Sequence, residues 1–98
     1  KDQSSAVLVK RDSPIRTIQD LKGKKVGFTK SSSANYLIVK VLESVGLQWS
    51  DITPAYLTPA DARAAFERGS IDAWVIWDPF YAAAQVQANA RVIRNSSG

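Results

Sequence analysis

KVGFTKSSSANYLIVKVLESVGL (Lys25–Leu47) decides the fold. It opens with a β-rich run, Lys25–Thr29, and passes through the hydroxyl cluster Ser31–Ser33. From Ala34 it becomes periodic. Ala34, Leu37, Ile38, Val41, Leu42 and Val45 recur at three- and four-residue spacing, which predicts a helix over Ala34–Val45 with one apolar face. Lys40, Glu43 and Ser44 fall on the opposite face. The serines offer hydroxyls to cap free N–H groups, and Gly46 stands where a glycine ends a helix. Strand, polar turn, amphipathic helix: this is the first half of a β-α-β unit.

The same alternation continues outward. Thr53–Leu57 reads as a strand, and Thr58-Pro59-Ala60-Asp61 starts a helix with Thr58 as N-cap, Pro59 at N1 and Asp61 at N3. That helix runs to Arg68 and stops at Gly69; Asp72–Ile76 is the next strand. Alternation along it puts Trp74 and Ile76 on one face and Val75 and Trp77 on the other. Trp77-Asp78-Pro79 repeats the helix-start device, with Asp78 as N-cap and Pro79 at N1, and a helix to about Gln87 follows. Arg91–Arg94 closes as a strand. Upstream, Ala6–Lys10 is a strand, Arg11–Pro14 a turn, and Ile15–Leu21 a short helix stopped at Gly23. Asn95-Ser96-Ser97-Gly98 reads as a polar surface tail, in spite of its Asn-x-Ser glycosylation pattern. Repeated β-α-β units predict an α/β three-layer sandwich: a mostly parallel five-stranded sheet with helices on both faces.

Composition narrows the chemistry. The 98 residues, 45% hydrophobic and 22% charged, suit one folded domain rather than a disordered chain. With no Cys and no His, the chain offers no disulfide, no thiolate nucleophile, no Cys/His zinc site and no His-based triad. No spacing arranges two carboxylates around a reacting centre; Arg63 and Glu67, at i and i+4, read as a surface ion pair. Catalysis, a metal and a cofactor are therefore not expected. The formal charge is +4, but the basic residues are scattered, and only Lys22, Lys24 and Lys25 cluster. A nucleic-acid partner is not expected from that pattern, because such surfaces carry a basic stripe with aromatic interleaving. The apolar runs are too short to span a bilayer. The absence of Met reads as excision or processing from a longer chain.

In open parallel sheets, ligands bind beyond the carboxyl ends of the strands. Three predicted loops lie there: Thr29–Ser33, Leu57–Asp61 and Ile76–Pro79. The first suits an oxyanion, because unpaired N–H groups, the helix dipole and the hydroxyls of Ser31, Ser32 and Ser33 all favour negative charge, with Lys30 beside them. It is not a phosphate-binding P-loop, since the glycine pattern is missing. A plain N-cap by Ser32 or Ser33 explains the same residues. Thr58 both caps its helix and lines the rim. Trp77, at a strand end, is placed to wall a ligand cleft, and Asp78 to hydrogen-bond a ligand or cap the helix.

At these segments the chain resembles the periplasmic aliphatic-sulfonate-binding proteins of ABC importers, within the nitrate/sulfonate/taurine group. The resemblance is carried by KRDSPIRTIQDLKGKKVGFTKSSSANYLIVKVLESVGL (Lys10–Leu47), YLTPADARAAFERGSIDAWVIWDPFYAAA (Tyr56–Ala84) and ARVIR (Ala90–Arg94). It implies one lobe of a type II periplasmic binding protein fold. Residues 1–98 would be the second lobe, inserted between two parts of a first lobe that this chain lacks. It further implies that Ala6–Lys10 is an antiparallel strand arriving from the hinge and that the remaining strands are parallel. The ligand implied is a small anion (an alkanesulfonate, taurine or nitrate) held at Ser32-Ser33-Ala34, with Tyr36 and Trp77 against its organic part. Ser31 stands where the family usually has Gly, and Asn35 where it usually has His. Asn35 keeps hydrogen bonding without a titratable group. The implied partners are an ABC permease and ATPase, and the implied place is the periplasm, with a signal sequence or lipid anchor outside this chain. Fold relatives imply two alternatives: an enzyme of thiamine-pyrimidine synthesis, and the effector-sensing domain of a transcription regulator.

Overall fold

The computed structural model describes residues 5–95. Lys1–Ser4 and Ser96–Gly98, with most of the polar tail and its glycosylation triplet, lie outside them. Strands and α-helices follow in the order β1 (Ser5–Lys10), β2 (Lys25–Phe28), α1 (Ser33–Ser44), β3 (Thr53–Tyr56), α2 (Pro59–Arg68), β4 (Ala73–Trp77), α3 (Phe80–Gln87) and β5 (Ala90–Asn95). Short 3-10 turns stand at Ile18–Leu21 and Trp49–Asp51.

The five strands form one sheet in the order β3-β2-β4-β1-β5. β2 runs parallel to β3 and β4, whereas β1 is antiparallel to both of its neighbours, β4 and β5. β1 is therefore the one reversed strand, as the resemblance implied. The chain crosses from β2 to β3 in one direction and leaves β4 in the other, so the switch point of the sheet lies between β2 and β4. Gly27 pairs with Trp74, so β4 continues to Trp77 well past the end of β2 at Phe28, and the carboxyl rim is stepped. β1 starts at that same rim, where Ser5 pairs with Trp77. β5 ends beside it, with Asn95 opposite Ala6.

Apolar periodicity divides the core by sheet face. Val7, Val9, Val26, Phe28 and Val75 pack under α1 through Leu37, Ile38, Val41 and Leu42. Leu8, Trp74 and Ile76 pack on the other face against Ala62, Ala65 and Phe66 of α2 and Ala84 of α3. Each fully buried Leu, Ile or Phe here contributes about 1.5–3 kcal/mol of transfer free energy. Trp77 touches both clusters, because it stands at the strand end where the two faces meet. The Trp74 Nε1 is buried without a partner among the described residues, so this indole contributes through its volume.

Two local expectations need correction. Ile15–Leu21 is not a helix; only Ile18–Leu21 turns, as 3-10. The Asp20 carboxylate reaches back to accept the N–H groups of Arg16 (2.9 Å) and Thr17 (3.2 Å), which holds Thr17 extended. Nor does Pro79 occupy N1. The Asp78–Pro79 peptide is cis, Pro79 is the N-cap, and α3 begins at Phe80. Asp78, one position outside the cap, still accepts the Ala82 N–H at Oδ1 (3.1 Å).

Both sheet edges are guarded. On β3, Pro54 lacks the N–H that an incoming strand would need. On β5, the register against β1 shifts between Val7 and Leu8, which leaves Ile93 as an extra residue; such a bulge twists an edge away from regular pairing.

Candidate functional site

The carboxyl rim brings together the three loops expected there. On the first, Ser31 has φ of +62°, a left-handed backbone that ordinarily selects glycine. The Asn35 side-chain oxygen steadies it by accepting the Ser31 N–H at 2.8 Å. Ser32 is the N-cap of α1: its hydroxyl donates to the Thr29 carbonyl (2.6 Å) and accepts the Asn35 N–H (3.3 Å). Thr29 in turn donates to the Leu57 carbonyl at 2.8 Å, tying the end of β2 to the end of β3.

A hydroxyl carries one proton, so these bonds decide which groups can still donate. The protons of Thr29 and Ser32 are committed inside the loop. The exposed Ser33 hydroxyl lies 3.1 Å from that of the buried Ser5, and its proton can turn outward. The N–H groups of Ser33 and Ala34 have no partner among the described residues, as befits the first turn of a helix. Ser31 is exposed, and the Asn35 amide nitrogen remains a donor after its oxygen is used. Together these groups form a concentration of spare donors, at the positive end of a 12-residue helix.

The other loops frame this donor group. Thr58 caps α2 by accepting the Asp61 N–H (3.2 Å), so its hydroxyl proton is unspent. Trp77 is half-buried and meets Phe80 edge to face, their centroids 6.0 Å apart. Phe80 is 42% exposed. The Asp78 Oδ1 serves α3, which makes this side chain part of the helix start first. Tyr56 stands over the buried Phe28 (5.3 Å), and the Lys30 ammonium lies 5.4 Å from the Tyr56 centroid. Tyr36 is exposed with the Lys40 ammonium beside its ring. Sequence reasoning missed Ser5, Phe80 and Tyr56. The signal for Ser5 was faint: a hydroxyl at the α1-facing position of a strand whose next two such positions are Val7 and Val9.

Among the described residues no group of three or more acidic, His or Cys side chains is placed to hold a metal. No described helix is long and apolar enough to cross a membrane. The rim carries spare hydrogen-bond donors on one side and aromatic surface on the other.

A mostly parallel five-stranded sheet with one reversed strand is an α/β architecture that this chain shares with the class of periplasmic binding proteins. Within that class, the NMT1/THI5-like family model matches residues 1–96, and the chain belongs to that family. It is 50% identical over 97 residues to an aliphatic sulfonates-binding protein of Escherichia coli (strain K12), covering 99% of this chain and 30% of that protein. A namesake from Bacillus subtilis (strain 168) is 38% identical over 93 residues, covering 95% of this chain and 28% of that protein. The crystal structure of the periplasmic E. coli protein superposes with a TM-score of 0.93 at 51% identity, over 96% of this chain and 32% of that one. The alkanesulfonate-binding protein of Xanthomonas axonopodis pv. citri, bound to MOPS, superposes at 0.92 with 50% identity, over the same shares. The chain thus spans about a third of the length of the proteins it matches.

Proposed function

We propose that this chain is the second lobe of the substrate-binding protein of an ABC importer, and that it captures an aliphatic sulfonate in a cleft between two lobes. The observation that carries this reading is the set of spare donors at the start of α1, Ser33 hydroxyl and Ser33 and Ala34 N–H, in a chain half identical to sulfonate-binding relatives. A sulfonate has three oxygens and no proton, so it only accepts; it needs a donor set of this kind. Ser31, Thr58 and the Asn35 amide add donors at the margin of the cleft. Ser32 acts through the loop it holds, because its proton is spent on Thr29. Trp77, with Phe80 behind it, takes the organic part. Asp78 can accept from an amine, which would favour taurine over nitrate. The other lobe closes over the ligand, and the closed form docks on a permease driven by its ATPase. The protein works outside the cytoplasm, delivered there by a leader beyond this sequence.

Neither alternative reading gains an observation. A pyrimidine-forming enzyme would lack His and Cys from this lobe, and the E. coli and X. axonopodis relatives described above are binding proteins. The test is titration calorimetry of the complete gene product with a series of alkanesulfonates, taurine and nitrate. Saturable heat with an alkanesulfonate supports the reading; none with any sulfonate ends it.

A further inference from the structure

We propose that Phe80 is a specificity residue of the cleft, selecting sulfonates by the length of their organic group; this rests on the oxyanion reading above and names the ligands its site prefers, sulfonates with an extended apolar chain. The large apolar side chains exposed among the described residues are Tyr36, Trp49, Tyr56, Phe80 and Val86. The two tyrosines carry a hydroxyl each and stand beside the ammonium groups of Lys40 and Lys30. Trp49 has an indole N–H and meets the buried Phe28 edge to face. Val86 lies at the far end of α3 from the rim. Phe80 is the exposed ring with no polar atom of its own, and it stands at the first position of α3, on the rim.

The sheet fixes where this ring lies relative to the donors. Trp77 is paired with Ser5 across β4 and β1, so their Cα atoms are roughly 5 Å apart and both side chains lie on the α1 side. The Ser5 oxygen is in turn 3.1 Å from that of Ser33, the first residue of α1. Trp77 therefore stands next to the spare N–H groups of Ser33 and Ala34. Phe80 meets Trp77 edge to face with centroids 6.0 Å apart. It belongs to α3, which packs on the opposite face of the sheet from α1, so Phe80 lies on the far side of Trp77 from the donors. Donors, indole and phenyl ring thus follow one another across the rim. A sulfonate has tetrahedral sulfur, so with its oxygens on the donors its carbon points away from them. A one- or two-carbon group ends at Trp77. A longer chain runs on to Phe80 and removes ring surface from water, a gain that grows with the apolar area covered.

The experiment is calorimetric titration of the complete gene product with ethane-, butane-, hexane- and octanesulfonate. Affinity is expected to rise along the series, by roughly two- to fourfold for each methylene that Phe80 covers. Phe80→Ala is expected to weaken octanesulfonate binding roughly five- to twentyfold and to leave ethanesulfonate within about twofold. Phe80→Gln, which keeps a long side chain beside Trp77 but not its apolar character, follows Phe80→Ala and decides the question if the alanine variant does not fold. Phe80→Leu, still apolar, keeps most of the gain. Ethanesulfonate affinity in each variant reports on the anion site itself. An affinity that stays flat from ethane- to octanesulfonate in the unaltered protein overturns the selection. So does an equal loss for every sulfonate in Phe80→Ala, which would assign Phe80 to lobe closure instead. Both results leave the oxyanion reading standing. If no sulfonate binds the unaltered protein, that reading fails and the selection falls with it.

Discussion

At the amino ends of the parallel strands, side-chain donors close the fold; at the carboxyl ends, several are left over. The far end holds Lys10 bonded to the Glu67 carbonyl (2.9 Å), Arg11 to Asn89 (2.9 Å), and Arg91 to the Ser13 carbonyl (2.8 Å). Asp72 accepts the Lys25 N–H (2.9 Å), and Asp20 those of Arg16 and Thr17. Each of these charged side chains ties down a turn, a loop or the end of an element. On the rim, the Ser33 and Ala34 N–H groups, Thr58 and the Asn35 amide keep a donor after the structural bonds are made. The lesson is that polar residues do not mark a site by their presence. What marks it is a hydrogen-bonding capacity that the fold leaves unused.

That contrast can be broken by experiment. The largest effect should come from Phe28→Ala, at the base of the rim. Phe28 is fully buried between the edges of Trp49 and Tyr56, and truncation should cost about 3–5 kcal/mol in chemical denaturation. Next come two changes of similar size but opposite meaning. Ser32→Ala should cost about 1 kcal/mol of stability as a lost N-cap and should also weaken sulfonate binding, because the loop loses its tie to Thr29. Arg91→Ala should cost about 1–2 kcal/mol through the lost carbonyl bonds, with sulfonate affinity unchanged. Weaker binding in the Arg91 variant would erase the distinction between the two ends.

Smaller still is Ser31→Gly. Relief of the left-handed backbone, worth about 1 kcal/mol, is partly offset by the greater freedom of glycine in the unfolded chain. A slightly raised melting temperature is expected, whereas Ser31→Val should lower it. The smallest effect concerns pH. Backbone N–H bonds, that of Arg16 foremost, hold the exposed Asp20 carboxyl below its usual 3.8. Its contribution is thus complete above the ordinary carboxylate range and is lost as pH falls through the lowered value. Asp20→Asn should flatten the acid limb of the stability profile slightly and leave the neutral region almost unchanged.

Much of this architecture is legible in the sequence because its determinants are local. The periodicity from Ala34 and the Thr58-Pro59 start each lie within a few residues, and α1 and α2 follow them closely. The reversed strand came from the resemblance, since nothing in Ala6–Lys10 encodes direction. The failures are also instructive. Asp20 redirects two N–H groups that a helix over Ile15–Leu21 would have left to it. Asp78 and Pro79 form the expected helix start displaced by one position. Within the site, composition pointed to three serines alike, but only the tertiary structure distributes their protons. Ser32 finds its acceptor three residues back, while Ser33 meets a partner 28 residues away on another strand. That second relation has no periodicity to betray it.

The pairing of Ala6 with Asn95 has a consequence for the chain as a length of polymer. Paired residues on antiparallel strands have Cα atoms roughly 5 Å apart. A host polypeptide interrupted by this unit would see its two cut ends almost rejoined, so the whole insertion would close in it the loop of a tight turn rather than of some ninety residues. Two adjacent strands also leave little lateral freedom and one easy direction of bending. A unit attached in this way can swing as a body while its own interior stays unaltered.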